Sequence, residues 1–151
     1  MVHRIAARNF YLAKSRIPRA GLGVYSKIAI PKGTYLDRYK GRKLSLSKFD
    51  YEASEGLLDS AYAFDVNSGD RHFILDATHP EHSNWTRYMN CSRSFQEENV
   101  KFVDRDGKIL FYAIQDIHPG DELLFYYGDD YALNRLRLNY RIMESREEQS
   151  E

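Results

Sequence analysis

Short apolar runs, bounded by Gly, Pro, Asp and Asn, follow one another along most of the chain. Runs of this kind predict β-strands, because a strand needs only a few residues and ends where the backbone turns. Two hairpins are predicted, with turns at Asn67–Asp70 and Asp104–Gly107. In the second, the Asp-Gly pair favours a tight turn, since glycine readily takes a positive φ. The predicted strands cover residues 23–26, 28–30, 34–39, 61–66, 71–76, 100–103, 108–114 and 123–127.

Helical patterns are fewer. Residues 46–58 predict a short helix with Ser45 or Ser47 as its N-cap, and residues 84–89 predict a turn or two of helix. The strongest helical pattern lies in residues 131–146, where apolar side chains recur at helical spacing. We therefore expect a mainly β protein with few short helices, one of them near the C-terminus.

Composition narrows the class of protein. The 151 residues are 42% hydrophobic and 29% charged, as expected for one soluble globular domain. Basic and acidic side chains balance at 22 each, which argues against a nonspecific nucleic-acid binder that works by bulk charge. One cysteine, Cys91, cannot form an internal disulfide or a cysteine zinc site. No apolar run has the length of a membrane span or forms a signal-peptide core, so we expect a cytosolic or nuclear protein.

The first candidate motif is a glycine turn at Ala20–Tyr25, which leads into a predicted strand. Because it does not open a helix, it is not a dinucleotide-binding fingerprint. A plain hairpin turn explains most Gly-x-Gly pairs. The alternative is that Gly21 and Gly23 let backbone groups approach a ligand closely.

The second motif, Asn84–Arg93, places two amides, two arginines, two aromatic side chains and the one cysteine within ten residues. Cys91 is expected to be a small buried hydrophobe, because no histidine stands in a recognisable arrangement with it as a base. A metal hydrolase built on the histidines is also disfavoured. The segment His79–His82 lies in a turn-prone region and matches no zinc-protease helix motif.

The third motif, Gly120–Tyr131, places Tyr126 and Tyr127 at the end of a predicted strand. Neighbouring strand residues point to opposite faces of a sheet, so core packing explains one of these tyrosines but not both.

These three motifs, in this order and with Tyr39–Arg42 between the first two, resemble the SET domain of protein lysine methyltransferases. The string Asn-Trp-x-Arg-Tyr-x-Asn-Cys-x-Arg is typical of the PR/SET branch, in which Asn90-Cys91 replaces the Asn-His pair of most SET domains. The ending Tyr-Gly-Asp-Asp-Tyr is also similar to small viral SET enzymes. The resemblance implies small β-sheets, with one segment threaded through a loop as a pseudoknot. It divides the chain into an N-terminal flank (1–15), a SET domain (16–131) and a C-terminal helical flank (132–151).

The resemblance also implies S-adenosylmethionine as the cofactor. Its backbone contacts are expected from Ala20, Gly21 and Leu22, and Tyr62 is expected to lie against it. Asn90 and Cys91 are expected to hold its adenine and amino-acid end, largely through backbone groups. No metal is implied, because the cysteine-rich flanks of other SET proteins are absent and the C-terminal helix takes their place.

Tyr127 matches the catalytic tyrosine of the family, and four further aromatic residues are implied as the channel for the substrate lysine. Methyl transfer needs a neutral amine, whereas free lysine has a pKa near 10.4. An apolar channel and a nearby sulfonium both lower that pKa, and aromatic faces accept a methylated ammonium. No general base is assigned, and Tyr126 is expected to be structural or substrate-facing. The channel residues are Tyr39, Phe102, Tyr112 and Phe125.

The expected function is that of an S-adenosylmethionine-dependent protein-lysine N-methyltransferase acting on a histone tail. Phe125 offers no hydroxyl to fix a water beside the amine, so di- or trimethylation is expected. The alternative is a catalytically weak or inactive PR/SET module that binds a partner by strand addition or in a groove. The expected partner is a protein substrate, with no sequence-specific nucleic acid and no membrane, while a homodimer stays open. The expected location is nuclear, with the cytoplasm as the alternative.

Overall fold

The computed structural model describes residues 5–128, and this part of the chain is mainly β, as predicted. It contains one α-helix, α1 (Leu46–Ser54), and short 3₁₀ helices at Ala7–Asn9, Ser60–Tyr62, Pro80–His82 and Trp85–Tyr88. The strands are β1 (Phe10–Lys14), β2 (Leu22–Ser26), β3 (Tyr35–Arg38), β4 (Arg42–Leu44), β5 (Ala63–Ser68), β6 (Arg71–Asp76), β7 (Asn90–Cys91), β8 (Val100–Arg105), β9 (Lys108–Ala113) and β10 (Leu124–Phe125).

The strands of this region form small sheets. β1 pairs antiparallel with β2, and β10 pairs parallel with β7. Two antiparallel sheets have three strands each, in the orders β3–β9–β8 and β4–β6–β5. Sheets this small are marginal in water by themselves, so they depend on packing against one another. They share one apolar core, whose fully buried members include Val24, Leu36, Phe111 and Leu123.

Both predicted hairpins are confirmed. β5 and β6 pair antiparallel as far as Ser68 and Arg71, and β8 and β9 pair as far as Arg105 and Lys108. The second loop has positive φ at both central positions, 56° at Asp106 and 82° at Gly107. Positive φ at both positions matches the right-handed twist of the flanking strands.

Two of the three predicted helical segments lie within the described residues, and both are helical. The helix predicted over 46–58 ends at Ser54, and Ser45 is its N-cap, since its hydroxyl accepts a hydrogen bond from the Lys48 N–H at 3.2 Å. The predicted turn of helix at 84–89 is confirmed, with the Asn84 side chain accepting from the Thr86 N–H at 3.1 Å.

Some strands differ from the prediction. In the predicted strand over 28–30, Ile30 forms a single bridge to Ile117, and the last predicted strand is reduced to β10. β1, β4 and β7 were not predicted, and β1 extends the paired structure into the expected N-terminal flank. The predicted helix over 131–146 lies outside the described residues.

The segment that contains β10 is hydrogen-bonded on two sides by parts of one loop. The Phe125 carbonyl accepts from the Ser92 N–H at 3.0 Å, and the Leu124 carbonyl accepts from the Asn99 N–H at 3.1 Å. Successive carbonyls of an extended chain point in opposite directions. The loop between β7 and β8 therefore holds β10 from both sides, as expected for a threaded segment, and fixes where the next residues, including Tyr127, are placed.

Candidate active site

An aromatic cavity of about 300 Å³ lies where β5, β8 and β10 approach one another. Its walls are built from rings on different elements that pack edge to face or tilted. The ring of Phe125 lies 4.7 Å from that of Tyr127, and the ring of Phe64 lies 4.9 Å from that of Phe102. Aromatic pairs prefer these arrangements, which hold the ring walls of the cavity in place. The other lining residues are Tyr39, Ala61, Ala63, Asp65, Thr86, Arg87, Met89 and Gly128.

Two tyrosine hydroxyls at the cavity are fixed by backbone carbonyls. Tyr39 donates a hydrogen bond to the carbonyl of Tyr62 at 2.6 Å, and Tyr127 donates one to the carbonyl of Met89. Burial raises the pKa of the Tyr39 hydroxyl well above its usual range, against a smaller opposing effect of the Arg87 cation. Tyr39 is therefore a neutral hydroxyl at physiological pH, unsuited to act as a base.

The Arg87 guanidinium is a buried cation in the wall of the cavity. It donates hydrogen bonds to the carbonyls of Ala77 at 2.8 Å and Thr78 at 2.9 Å. Its central carbon also lies 4.1 Å from the centre of the Tyr62 ring and 4.6 Å from that of the Tyr88 ring. Arginine is always charged and stacks well on aromatic faces, so these contacts satisfy the cation while it holds the wall together.

Two predicted site residues lie elsewhere than expected. Tyr112 does not line the cavity: its ring lies 5.4 Å from that of Tyr35, on the face of β9 opposite to Phe111. Because side chains alternate along a strand, Phe111 and its cross-strand partner Phe102 lie on one face of the sheet, and Tyr112 lies on the other. Tyr62 ends a 3₁₀ helix rather than lying in a strand, and its contacts with Tyr39 and Arg87 place it at the cavity wall. The cofactor contact expected for Tyr62 stays a prediction.

The glycine turn meets Asn90 on the surface of the molecule. The Asn90 side-chain amide donates a hydrogen bond to the Leu22 carbonyl at 2.9 Å. Gly21 has a φ of 70° and, like Leu22, is exposed, whereas Ala20 is half-buried. The structure therefore places Asn90 against Leu22 of the glycine turn, and the cofactor contacts expected for these residues stay predictions.

Cys91 is buried, and its sulfur accepts a hydrogen bond from the Tyr127 N–H at 3.4 Å. Its place beside the catalytic candidate thus comes from the parallel pairing of β7 with β10. This confirms the expectation that Cys91 is a small buried side chain.

Several residues of the cavity were missed in the sequence, and three of them matter to its structure. Phe64 and Met89 line the cavity, and a signal for each was present: Phe64 lies two residues after Tyr62, and Met89 directly precedes Asn90. Arg87 lies within the second motif but received no role, since nothing in the string shows that two aromatic faces and two carbonyls surround it.

The model of the PR domain of PR domain zinc finger protein 2 matches residues 10–137 of the chain. The chain belongs to this family. Its predicted membership of the PR/SET branch is thereby confirmed.

Curated relatives of this PR domain are named as histone-lysine methyltransferases. It is 36% identical over 123 residues to the histone-lysine N-methyltransferase set-17 of Caenorhabditis elegans, with 82% of this chain and 42% of that protein covered. It is 32% identical over 123 residues to the histone-lysine N-methyltransferase PRDM7 of Homo sapiens, with 80% and 23% covered. The chain thus spans less than half the length of these relatives.

Solved structures confirm the SET-domain fold. The methyltransferase domain of human PR domain-containing protein 2 is similar with a TM-score of 0.65 and 28% identity, covering 83% of this chain and 81% of that one. A humanized mutant of the Chaetomium thermophilum Polycomb Repressive Complex 2, bound to the inhibitor GSK343, gives a TM-score of 0.68 at 26% identity. The latter likeness covers 82% of this chain and 16% of the other.

Among residues 5–128, no helix is long and apolar enough to cross a membrane. Within the same range, no group of three or more His, Cys, Asp or Glu side chains is arranged to hold a metal ion.

Proposed function

We propose that this PR domain is an S-adenosylmethionine-dependent protein-lysine N-methyltransferase that acts on a histone tail. The observation that carries the proposal is the position of Met89 and Asn90 between two sites. Met89 lines the aromatic cavity and accepts from the Tyr127 hydroxyl, whereas Asn90 reaches the glycine turn. Neighbouring residues of an extended chain point to opposite sides. A lysine in the cavity and a cofactor at the turn would thus approach one backbone segment from its two faces.

The residues at the turn fit the proposed cofactor. An ideal Cβ on Gly21 would meet no atom within 4 Å, so there is open space beside the turn. The side chain of Asn90 and the backbone of residues 20–22 supply polar groups next to that space, and they are the groups that would hold the cofactor. When bound, S-adenosylmethionine supplies an electrophilic methyl group on a positively charged sulfur.

The cavity suits the neutral form of a lysine side chain. A lysine nitrogen among its rings has less water around it than in solution, which disfavours the ammonium, whose pKa near 10.4 in water must fall for the nitrogen to attack. The Arg87 cation in the wall acts in the same direction, because like charge disfavours the protonated amine. The Tyr127 hydroxyl and the Met89 carbonyl, joined by their hydrogen bond, orient the amine at the end of the cavity. No side chain is assigned as a general base.

The proposed product is di- or trimethyllysine. The Phe125 ring is buried between Phe111 at 4.9 Å and Tyr127 at 4.7 Å, and it presents no hydroxyl to the amine. A water in this position is held loosely and gives way to a further methyl group. The aromatic faces of the cavity attract the methylated ammonium by cation–π interaction.

A basic peptide is the proposed substrate, and a histone tail is a peptide of this kind. The exposed Asp65 side chain lines the cavity, and one of its oxygens lies 2.7 Å from the Nε2 atom of His72. Negative charge at an entrance attracts a cationic substrate and raises its association rate. Two relatives are named as histone-lysine methyltransferases, which supports the same substrate and a nuclear location.

A second candidate function is that of a non-catalytic module that binds a partner. β8 is at the edge of its sheet within the described residues, and two of its apolar side chains, Phe102 and Val103, are 40% and 44% exposed. An exposed edge strand can pair with an extended peptide of a partner. This function needs no cofactor, so cofactor binding separates the two candidates.

The test is calorimetry of the purified chain with S-adenosylmethionine and with S-adenosylhomocysteine. An enzyme binds both ligands at one site per chain, in competition with each other. The absence of heat at ligand concentrations up to the millimolar range, from a protein that melts cooperatively, would contradict the proposal and favour the binding module.

A further inference from the structure

The carboxylate of Glu122 is buried beneath the glycine turn, with 4% of the residue exposed. One oxygen, Oε2, accepts a hydrogen bond from the Ser15 hydroxyl at 2.6 Å, and the other, Oε1, accepts from the Arg16 N–H at 2.9 Å. The Tyr25 hydroxyl lies 3.4 Å from Oε1. Ser15 and Arg16 begin the loop that carries residues 20–22, so both carboxylate oxygens fix the start of this loop.

The same carboxylate borders the other end of the loop. An ideal Cβ on Gly23 would lie 2.2 Å from Oε2, closer than any real Cβ contact, so glycine is required there for the backbone to approach the carboxylate. The Asn90 side-chain nitrogen, which donates to the Leu22 carbonyl at 2.9 Å, lies 3.5 Å from the same oxygen. Glu122 therefore lies within contact distance of the entry to the loop, its exit and the side chain that meets it.

A buried carboxylate is a costly way to hold a loop if stability is the only gain. Removing a charge from water costs free energy, which hydrogen bonds to the charged form recover only in good geometry. Each hydrogen bond to the charge is stronger and more directional than one between neutral groups. These hydrogen bonds hold the loop in one conformation before a ligand binds, so the loop loses less conformational entropy when the ligand binds.

We infer that Glu122 is a positioning residue for the cofactor, which it serves by holding the loop of residues 15–21 and the start of β2 against Asn90. The inference rests on the proposed function, because it assumes that this loop binds S-adenosylmethionine. Glu122 itself is buried beneath the loop and acts through Ser15, Arg16 and Asn90.

The test compares cofactor affinity in Glu122→Gln with that in the wild type, using calorimetry with S-adenosylhomocysteine. The amide keeps the shape of the side chain but has one oxygen in place of two, so it cannot accept from both Ser15 and Arg16. We expect the dissociation constant to rise roughly tenfold, because the loop then leaves its binding conformation more often and the apparent affinity falls with the competent fraction. Steady-state kinetics should show the same rise in the KM for S-adenosylmethionine. We expect kcat at saturating cofactor and the KM for the peptide to change by less than about twofold. The reason is that the variant weakens cofactor binding equally in the ground state and in the transition state, which leaves kcat unchanged.

Asp116→Asn is the matched control. The Asp116 carboxylate also accepts a backbone N–H, that of Lys32 at 2.9 Å, but in an exposed turn. This variant loses the same charge and should bind S-adenosylhomocysteine as the wild type does. If Glu122→Gln does not fold, Ser15→Ala carries the test, because it removes one hydrogen bond to the carboxylate and leaves the charge in place.

The outcomes distinguish the two proposals. A wild type that binds neither cofactor nor product overturns the proposed function and the role of Glu122 together. A wild type that binds, with Glu122→Gln or Ser15→Ala folded and of unchanged affinity, overturns the role of Glu122 alone. A variant with a lower melting temperature and equal losses in every kinetic constant assigns Glu122 to the fold and likewise overturns the inference.

Discussion

The Tyr127 hydroxyl donates a hydrogen bond to the backbone carbonyl of Met89. The two residues are 38 positions apart in the sequence, and the parallel pairing of β7 with β10 brings them together. Met89 also precedes Asn90, whose amide binds the Leu22 carbonyl. The aromatic cavity and the glycine turn are thereby joined through two consecutive residues, which is the physical basis of the proposed methyl transfer.

Tyr127→Phe should leave the fold intact and reduce turnover by roughly 10²-fold or more. The reason is that the substrate amine is then no longer oriented by the hydroxyl for attack on the methyl group. The hydroxyl is lost while the ring packing against Phe125 remains. Turnover is measured with a lysine peptide, and circular dichroism checks the fold. Tyr112→Phe is the matched control, because it removes a hydroxyl from the opposite face of β9. Near-native turnover in Tyr127→Phe would contradict the catalytic assignment.

Asn90→Ala should weaken both cofactor binding and stability. Its amide donates to the Leu22 carbonyl at 2.9 Å, and removal leaves that carbonyl without this partner. Because the Leu22 carbonyl is exposed and can bind water instead, we expect the free energy of unfolding to fall by about 0.5–1.5 kcal/mol, and the cofactor dissociation constant to rise. Urea denaturation and calorimetry measure the two effects. Asn67→Ala, at an exposed position in β5, is the control; the prediction fails if Asn90→Ala leaves both quantities unchanged.

The sequence predicted the hairpins because their turns carry local signals, such as the Asp106-Gly107 pair with positive φ at both positions. It did not predict β4 or β7, since strands of three and two residues are too short to show a pattern. These strands are stabilised by partners distant in sequence, and local propensity does not report such pairing.

The parts of the candidate site that come from one continuous motif were predictable from the sequence. The parts that depend on how distant strands pack were less predictable. The position of Tyr112 outside the cavity lining was not predictable, because the face of β9 on which it lies depends on the pairing of β9 with β8. Glu122 carried no local signal at all. Its hydrogen-bond partner Ser15 lies 107 positions away, so only the folded chain shows why an acid is buried there.

Phe125→Tyr should shift the product from di- or trimethyllysine toward monomethyllysine. The added hydroxyl would hold a water beside the amine and occupy the space of the next methyl group. Mass spectrometry of a peptide at long reaction times measures the product distribution. Phe95→Tyr adds the same hydroxyl to an exposed ring and should change nothing. A wild-type enzyme that stalls after one methyl group would refute this role of Phe125.

Asp76→Asn should destabilise the fold in a pH-dependent way. Burial tends to raise the pKa of the Asp76 carboxyl, but hydrogen bonds from Thr78 and Arg42 outweigh it and hold the pKa below its usual value of 3.8. A pKa that is lower in the folded state contributes stability above the unfolded pKa, and this contribution is lost as pH falls through the folded pKa. We expect a loss of about 1–3 kcal/mol at pH 7, from the weakened hydrogen bonds.

Urea denaturation of Asp76→Asn and the wild type across pH 2.5–7 tests this prediction, with the difference narrowing below about pH 4. Asp50→Asn, at an exposed position on α1, should show little difference at any pH. A constant gap between Asp76→Asn and the wild type throughout this range would argue against the role given to the charge.

The central claim is methyl transfer to a histone lysine, and the most direct measurement supplies radiolabelled S-adenosylmethionine and core histones to the purified chain. Mass spectrometry then maps the labelled positions. We expect label on lysine side chains in a histone tail, carrying two or three methyl groups at long times, and its loss in Tyr127→Phe. A folded chain that binds S-adenosylmethionine and transfers no methyl group to any histone lysine would contradict the central claim.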